Sequence, residues 1–470
     1  MKIILLGISL LWTIFSFAQD ITAQLNTALL NLEADVQFKH AIISMYVVES
    51  KSGKAIVEKN AQIGLAPASC QKVVTSASAF ELLGKQYRYT TYIGKDYSSK
   101  ADKSDAGCLF IIGSGDPTLG SARWQHTSDS SFFKTVLNTL KKNGFNNFGE
   151  NLVIQDYLYG TAIIPDGWIW QDIGNYYGAG CFAVNWRENQ YEIFFQPDSK
   201  VGFPAAITSV KPFIFDVVYN NTTRTGNPGS GDNAYIYTAP FSNVITTSGT
   251  VPLQQKPFAI KGSMPNPSKI IGEELLGYLR KHNISFKGTS YSSMERLLYN
   301  TERHMATHII DSVLSPSLDS INYWFLKKSV NLFGEAFVKT IAYEKMKNGS
   351  TDTGIAIIKD FWSKRGIEKS ALNIIDGSGL SPANRITTNA LVTVMQYAKQ
   401  QPWFSSFYYD LPEMNGIKMK DGYINGVRSY TGYIKAKNGN EYTFSFIVNN
   451  FDGNPGTVRE KMWKLLDILK

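Results

Sequence analysis

Residues 67–84 read Pro67-Ala68-Ser69-Cys70-Gln71-Lys72-Val73-Val74-Thr75-Ser76-Ala77-Ser78-Ala79-Phe80-Glu81-Leu82-Leu83-Gly84. Proline leads in and glycine closes a run of small and apolar residues, which predicts a buried helix over Ser69–Leu83. Positions i and i+3 share a helix face, so the Lys72 amine reaches the Ser69 hydroxyl. A serine hydroxyl is a poor nucleophile until a neighbouring base takes its proton. A lysine becomes that base when desolvation or a second cation lowers its pKa. The helix N-terminus adds free N–H groups, and that of Ser69 suits an oxyanion. Alone, S-x-x-K is weak, because an ordinary polar helix turn carries it too.

Upstream, residues 41–49 read as a strand, and Ser52-Gly53 turns the chain into a second around Ala55–Glu58. Similar pieces recur at the far end. Arg428–Lys437 and Glu441–Asn450 are strands joined at Asn438-Gly439, a strong hairpin signal. Thr457 and Glu460 form a capping-box pattern that opens a last helix, with Val458, Met462, Leu465, Leu466 and Leu469 as its apolar stripe. Between the ends, residues 196–260 are rich in Ser, Thr, Asn, Gly and Pro but keep alternating runs such as Ala234-Tyr235-Ile236-Tyr237-Thr238. That pattern predicts a small β-rich insertion. Helical periodicity returns at Ile270–His282 and dominates from Leu318 to Arg365. No fixed-period repeat occurs. The economical architecture is an α/β domain split by a long insertion. Its parts are a catalytic domain of residues 19–90 and 286–470, a first insertion of 91–195 and 261–285, and a nested insertion of 196–260.

The 470 residues are 43% hydrophobic and 18% charged, which excludes a disordered or collagenous chain. Lys and Arg number 47 against 39 Asp and Glu, a formal charge of +8. Without a long basic run this does not argue for nucleic acid, and it suits peripheral association with an anionic envelope. Cys70, Cys108 and Cys181 are an odd set without metal-ligand spacing, so small buried residues are the simpler reading. Lys2, the apolar run Ile3–Trp12 and the small residues Ser16 and Ala18 read as a cleavable export signal, cut after Ala18. The expected compartment is the periplasm.

Two further elements strengthen the Ser69–Lys72 pair. Ser329-Val330-Asn331 lies in a run of helical character, Tyr323–Tyr343, where a hydroxyl and an amide can relay a proton and hold a substrate amide. Lys420-Asp421-Gly422 leads into the C-terminal strands, and glycine after a cation lets a substrate backbone approach a strand edge.

S-x-x-K, then S-x-N, then a K-T-G-like triplet is the motif order of the penicillin-interacting serine enzymes. The chain resembles their class C low-molecular-mass penicillin-binding proteins, the D-alanyl-D-alanine carboxypeptidase/endopeptidase family. Ser69 and Ser329 stand far apart, and that family carries extra domains in this gap. Pro67-Ala68-Ser69, Gly113–Leu119, Gly174–Ala179, Asn185–Asn189, Asp376–Ser381 and Phe446–Asn450 also look like its members. The resemblance runs from about residue 25 to 470. It implies a penicillin-binding/serine β-lactamase-like transpeptidase domain of α+β class, an antiparallel sheet flanked by helices.

It further implies that Ser69 is acylated, with Lys72 its general base. Ser329 would relay a proton to the leaving amine, Asn331 would bind the substrate amide, and Lys420 would attract the terminal carboxylate. Asp421, Gly422 and Tyr423 would border the substrate, with the Tyr423 N–H as second oxyanion donor. Peptidoglycan stem peptides would be the substrate and β-lactams covalent inhibitors. One departure stands out: the family has Thr where this chain has Asp421. An aspartate repels a carboxylate unless it points away or pairs with a cation such as Lys418 or Arg428.

Other readings compete. His304 and His308 have the i, i+4 spacing of zinc ligands, but Met305 replaces the needed Glu and the segment through Val313 reads as extended. Surface or packed histidines are preferred, and no metal or cofactor is expected. Gly113–Gly120 lacks the Lys-Ser/Thr of a phosphate loop. Asp376–Ser381 is a Gly-rich turn that by resemblance borders the site. A wall- or penicillin-binding protein with turnover impaired by Asp421, and a β-lactamase-like hydrolase, remain alternatives.

Overall fold

The computed structural model describes residues 21–97, 106–254, 256–298 and 304–470. The expected export signal, residues 1–18, lies outside the described residues. Two compact units emerge. The first takes the chain up to Leu82, Asn322–Ser329 and Ile355–Lys470; the second takes Leu83–Ile321 and Val330–Gly354.

The first unit is built on a six-stranded sheet in the order Glu413–Met414, Ile417–Ile424, Val427–Lys435, Glu441–Asn449, Ile42–Glu49, Ala55–Lys59. Every neighbouring pair is antiparallel. The two ends of the sequence meet in its centre, where Ile42 pairs with Asn449 and Glu49 with Tyr442. The Asn438-Gly439 hairpin forms as its sequence demands, Gly439 taking a φ of 88° that a side chain disfavours. One face of the sheet, with Met45, Val47, Phe444 and Phe446, is covered by Leu25, Leu29 and Leu32 and by Val458, Met462, Leu465 and Leu466. Each such side chain contributes about 1.5–3 kcal/mol when fully buried. The helices Lys72–Leu82 and Thr388–Lys399 pack on one another, the latter also against the strands Ile42–Glu49 and Glu441–Asn449. Because both faces are covered, Val427–Lys435 is buried along nearly its whole length.

Two local expectations are corrected. The last helix, Pro455–Leu466, is capped by Asn454, whose side chain accepts from the Gly456 N–H at 2.7 Å, and not by Thr457. Pro455 fits the first helical position, which starts the helix earlier, and the Thr457 hydroxyl donates to the Asn454 carbonyl at 2.8 Å. The helical run from Leu318 is interrupted: helices occupy Leu318–Lys327, Asn331–Met346 and Thr351–Ser363. Ser329 lies in the first gap with a φ of 56°, which no right-handed helix accommodates.

The second unit carries a mixed sheet in which Thr90–Tyr97 pairs antiparallel with Ala106–Ile112 and His308–Leu314, while Leu152–Gln155 runs parallel to Ala106–Ile112. Two smaller sheets follow. One joins Gln190–Gln196 to Ala206–Lys211 and Phe258–Ser263, and the other gathers Val218–Asn221, Arg224–Gly226, Asn233–Tyr237 and Val244–Pro252. The helices Asp129–Lys142 and Pro267–Lys281 supply Phe132, Val136, Leu140, Ile271 and Leu275 to a core shared with Trp186 and Ile193. The α+β class with an antiparallel sheet flanked by helices is therefore as expected.

Candidate active site

The first turn of the predicted Ser69–Leu83 helix is a 3₁₀ turn, Ala68–Gln71, and the α-helix proper is Lys72–Leu82. In a 3₁₀ turn residues i and i+3 eclipse one another. Lys72 Nζ accordingly donates to Ser69 Oγ at 2.8 Å. Ala68 precedes the serine with a φ of 46°, a left-handed kink that sets Ser69 at the head of the helix. Lys72 is fully buried, yet Ser69 is half-exposed, so the amine is shielded while the hydroxyl stays accessible. The Lys72 ammonium also donates to the Ser378 carbonyl at 2.7 Å and lies 5.8 Å from the Phe325 ring centre.

The turn at Asp376–Ser381 holds the Lys72 amine in place. Gln71 Nε2 donates to Asp376 Oδ1 at 2.9 Å, and Thr75 Oγ1 donates to the Gly377 carbonyl at 2.7 Å. The Asp376 carboxylate further accepts from the backbone N–H groups of Gly379 and Ser381, both at 2.7 Å. Gly379 has a φ of 79°, and a Cβ there would stand 2.0 Å from the Ala68 carbonyl oxygen. The Ser378 hydroxyl is fully buried and has no hydrogen-bond partner among the described residues. A Gly-rich turn was legible here, but the Lys72 contact runs through a backbone carbonyl, which no residue type announces.

The strand Ile417–Ile424 lies on the other side of Ser69. Gly422 is required by proximity: a Cβ on it would come 2.6 Å from the Pro67 carbonyl and 2.9 Å from the Ser69 nitrogen. The Ser429 hydroxyl donates to the Pro67 carbonyl at 2.5 Å, and the Cys70 thiol to the Lys420 carbonyl at 3.2 Å. These bonds tie the strand to the Ser69 turn and bring the backbone of Gly422 beside the Ser69 N–H. Tyr423 follows with half of its surface exposed. Burial pushes the Cys70 thiol up to about 11, which keeps it a packing residue.

Lys420 and Asp421 are adjacent strand residues, whose side chains start on opposite faces. The buried lysine nevertheless bends back, donating to the Asp421 carbonyl at 2.8 Å and to its carboxylate at 2.9 Å. Asp421 thus pairs with a cation, and that cation is Lys420 rather than Lys418 or Arg428. Lys418 Nζ donates to the Leu411 carbonyl, and Arg428 lies over the Tyr423 ring. Burial raises the Asp421 carboxyl, but Lys420, with help from Arg428, prevails and holds it below the ordinary carboxylate range.

Ser329 is half-buried in the left-handed loop described above. Asn331 starts the next helix, in the second unit, and its side-chain N–H donates to the Tyr177 carbonyl at 2.8 Å. His304 and His308 do not share a helix. His308 begins a strand with Nδ1 2.8 Å from Thr307 Oγ1, as the extended reading required.

The sequence profile of the D-Ala-D-Ala carboxypeptidase 3 (S13) family matches residues 25–413. The chain belongs to this S13 family. Its members here are D-alanyl-D-alanine carboxypeptidases. The enzyme of that name from Actinomadura sp. (strain R39) is 23% identical over 446 residues, covering 89% of this chain and 80% of the relative. The carboxypeptidase DacB of Haemophilus influenzae is 22% identical over 421 residues, covering 84% and 83%. In three dimensions, penicillin binding protein 4 (dacB) from Haemophilus influenzae superposes with a TM-score of 0.78 at 18% identity, covering 96% of this chain and 99% of that one. The same protein complexed with a β-lactam superposes at 0.72. The chain thus has the penicillin-binding fold and is a serine-type peptidase of the S13 family.

Proposed function

We propose that this protein is a serine D-alanyl-D-alanine carboxypeptidase/endopeptidase that hydrolyses peptidoglycan stem peptides or cross-links through an acyl-enzyme on Ser69, and that penicillins acylate the same residue. The observation that carries the reading is the 2.8 Å contact between Lys72 Nζ and Ser69 Oγ. With its amine unprotonated, Lys72 takes the serine proton as Oγ bonds to the scissile carbonyl carbon. The developing oxyanion faces the backbone N–H groups of Ser69 and Tyr423. The carbon–nitrogen bond then breaks, the departing D-amine receives its proton through Ser329, and water hydrolyses the ester. Asn331 holds the substrate amide, and Lys420 and Gly422 meet the terminal residue.

Export to the periplasm, with residues 1–18 removed, belongs to the same proposal. It is supported by the charged, apolar and small segments of that stretch and by where such a substrate is found. Among the described residues no helix is long and apolar enough to cross a membrane. The formal charge of +8 supports peripheral association with the envelope. The insertion is proposed to comprise 91–195 with 261–285 and a nested part, 196–260.

Release of D-alanine from a peptide ending in D-Ala-D-Ala tests the activity. Wild-type protein should release it and Ser69→Ala should not; equal rates would overturn the assignment. One observation favours a second reading, a wall-binding protein with slow turnover: the Lys420 ammonium is already paired with Asp421. Binding of stem peptide without release of D-alanine would select it.

A further inference from the structure

His304 has a different set of neighbours from the one its sequence spacing suggests. Its Nδ1 lies 3.4 Å from Cys108 Sγ and 3.5 Å from Glu150 Oε2, and Cys108 Sγ lies 3.4 Å from that same Glu150 oxygen. Asp96 stands beside them: it, Cys108 and His304 offer ligand atoms that all lie within 4.8 Å of one another. The geometry points to a divalent-metal site, of zinc type, formed by Cys108, His304, Glu150 and Asp96.

Tetrahedral zinc holds sulfur at about 2.3 Å and nitrogen or oxygen at about 2.0–2.2 Å, so its ligand atoms sit about 3.3–3.7 Å from one another. Three of the measured separations match those edges. The donor set is equally selective. A thiolate with an imidazole and carboxylates suits zinc, whereas magnesium and calcium take oxygen alone.

Four separate stretches of chain supply the donors. Asp96 sits at an irregularity in the strand Thr90–Tyr97, and Cys108 lies on its partner Ala106–Ile112. Glu150 precedes the strand Leu152–Gln155, and His304 precedes His308–Leu314. The Asp96 carboxylate already accepts from the Cys108 N–H at 2.5 Å, which fixes those two donors relative to one another. His304 and Glu150 are partly exposed while Cys108 is fully buried, so an ion can enter from solvent and close on an inner sulfur. A metal here would cross-link the mixed sheet of the second unit, a structural role separate from Ser69 chemistry.

The test is zinc titration of the full-length protein by calorimetry, with cobalt as a spectroscopic substitute. The wild type should bind one equivalent, gain thermal stability with zinc, and show a thiolate-to-cobalt charge-transfer band. His304→Ala and Cys108→Ala should each weaken zinc binding by more than the roughly 10- to 100-fold that losing an outer partner costs, and Cys108→Ala should abolish the band. Should Cys108→Ala fail to fold, the half-exposed His304→Ala and zinc protection of Cys108 against alkylation decide the matter. D-alanine release by both variants should match the wild type, which separates this test from that of Ser69. Absence of stoichiometric binding, or binding unchanged by either substitution, would overturn the site and leave a His304–Glu150 ion pair beside a buried thiol.

Discussion

The ammonium of Lys420 lies 2.9 Å from the carboxylate of Asp421, its own neighbour in the chain. The third motif therefore presents a neutralised cation where its family presents a cation and a hydroxyl. A compact terminal carboxylate meets less net attraction there, whereas a cross-link has a less compact anion beside its scissile bond. Asp421→Thr should raise the ratio of carboxypeptidase to endopeptidase activity roughly 10-fold or more, the value of one hydrogen bond to a charged group. Parallel assays on a D-Ala-D-Ala peptide and a cross-linked dimer measure it, and an unchanged ratio would refute the argument.

Ser329 occupies a left-handed conformation, with a φ of 56°. Holding a non-glycine residue there costs about 1–2 kcal/mol. Ser329→Gly should raise stability by about 1 kcal/mol in urea unfolding while lowering turnover, and Ser329→Ala should lower turnover without the gain. A glycine variant no more stable than the alanine variant would contradict the strain.

How much of this was legible in the sequence depends on the carrier of each contact. The Ser69–Lys72 pair was readable because i, i+3 spacing is itself the geometry. The Asn438–Gly439 hairpin and the Val458–Leu466 stripe were readable for the same reason. The break at Ser329 was hidden because apolar residues continue through both flanking helices, so periodicity alone sees one run. Capping by Asn454 was masked by a competing Thr457–Glu460 pattern three residues later. The bend of Lys420 onto Asp421 and the Lys72–Ser378 carbonyl bond depend on tertiary placement and on backbone atoms, about which residue identity is silent.

Gly379 and Gly422 clamp the Ala68–Ser69 turn from two sides. A Cβ at 379 would meet the Ala68 carbonyl oxygen at 2.0 Å and add left-handed strain at a φ of 79°. Gly379→Ala should destabilise the protein by about 2 kcal/mol or more. Gly422→Ala should chiefly slow acylation by pushing the strand away from the Ser69 N–H. Chemical denaturation beside acylation kinetics separates the two effects; wild-type values in both variants would contradict the packing.

Burial of Asp116 pushes its carboxyl up to about 6, against hydrogen bonds from Thr118 that favour the charged form. The folded protein therefore holds this proton more tightly than the unfolded chain, whose carboxyl titrates near 3.8. The associated stabilisation is complete below about pH 3.8 and is lost as the pH rises through about 6. Asp116→Asn keeps the acceptor and removes the titration. The wild-type Tm minus the variant Tm should thus rise as the pH falls from about 7 to about 4, and a flat difference would show Asp116 to be ordinary.

The central claim is that Ser69 is a nucleophile activated by Lys72. Intact mass of the protein after mixing with benzylpenicillin, followed over time, addresses it directly. Wild-type protein should gain one covalent adduct that persists, Ser69→Ala should gain none, and Lys72→Met should acylate about 10²- to 10⁴-fold more slowly. A wild-type protein that never gains the adduct, or a Ser69→Ala variant that does, would contradict the account.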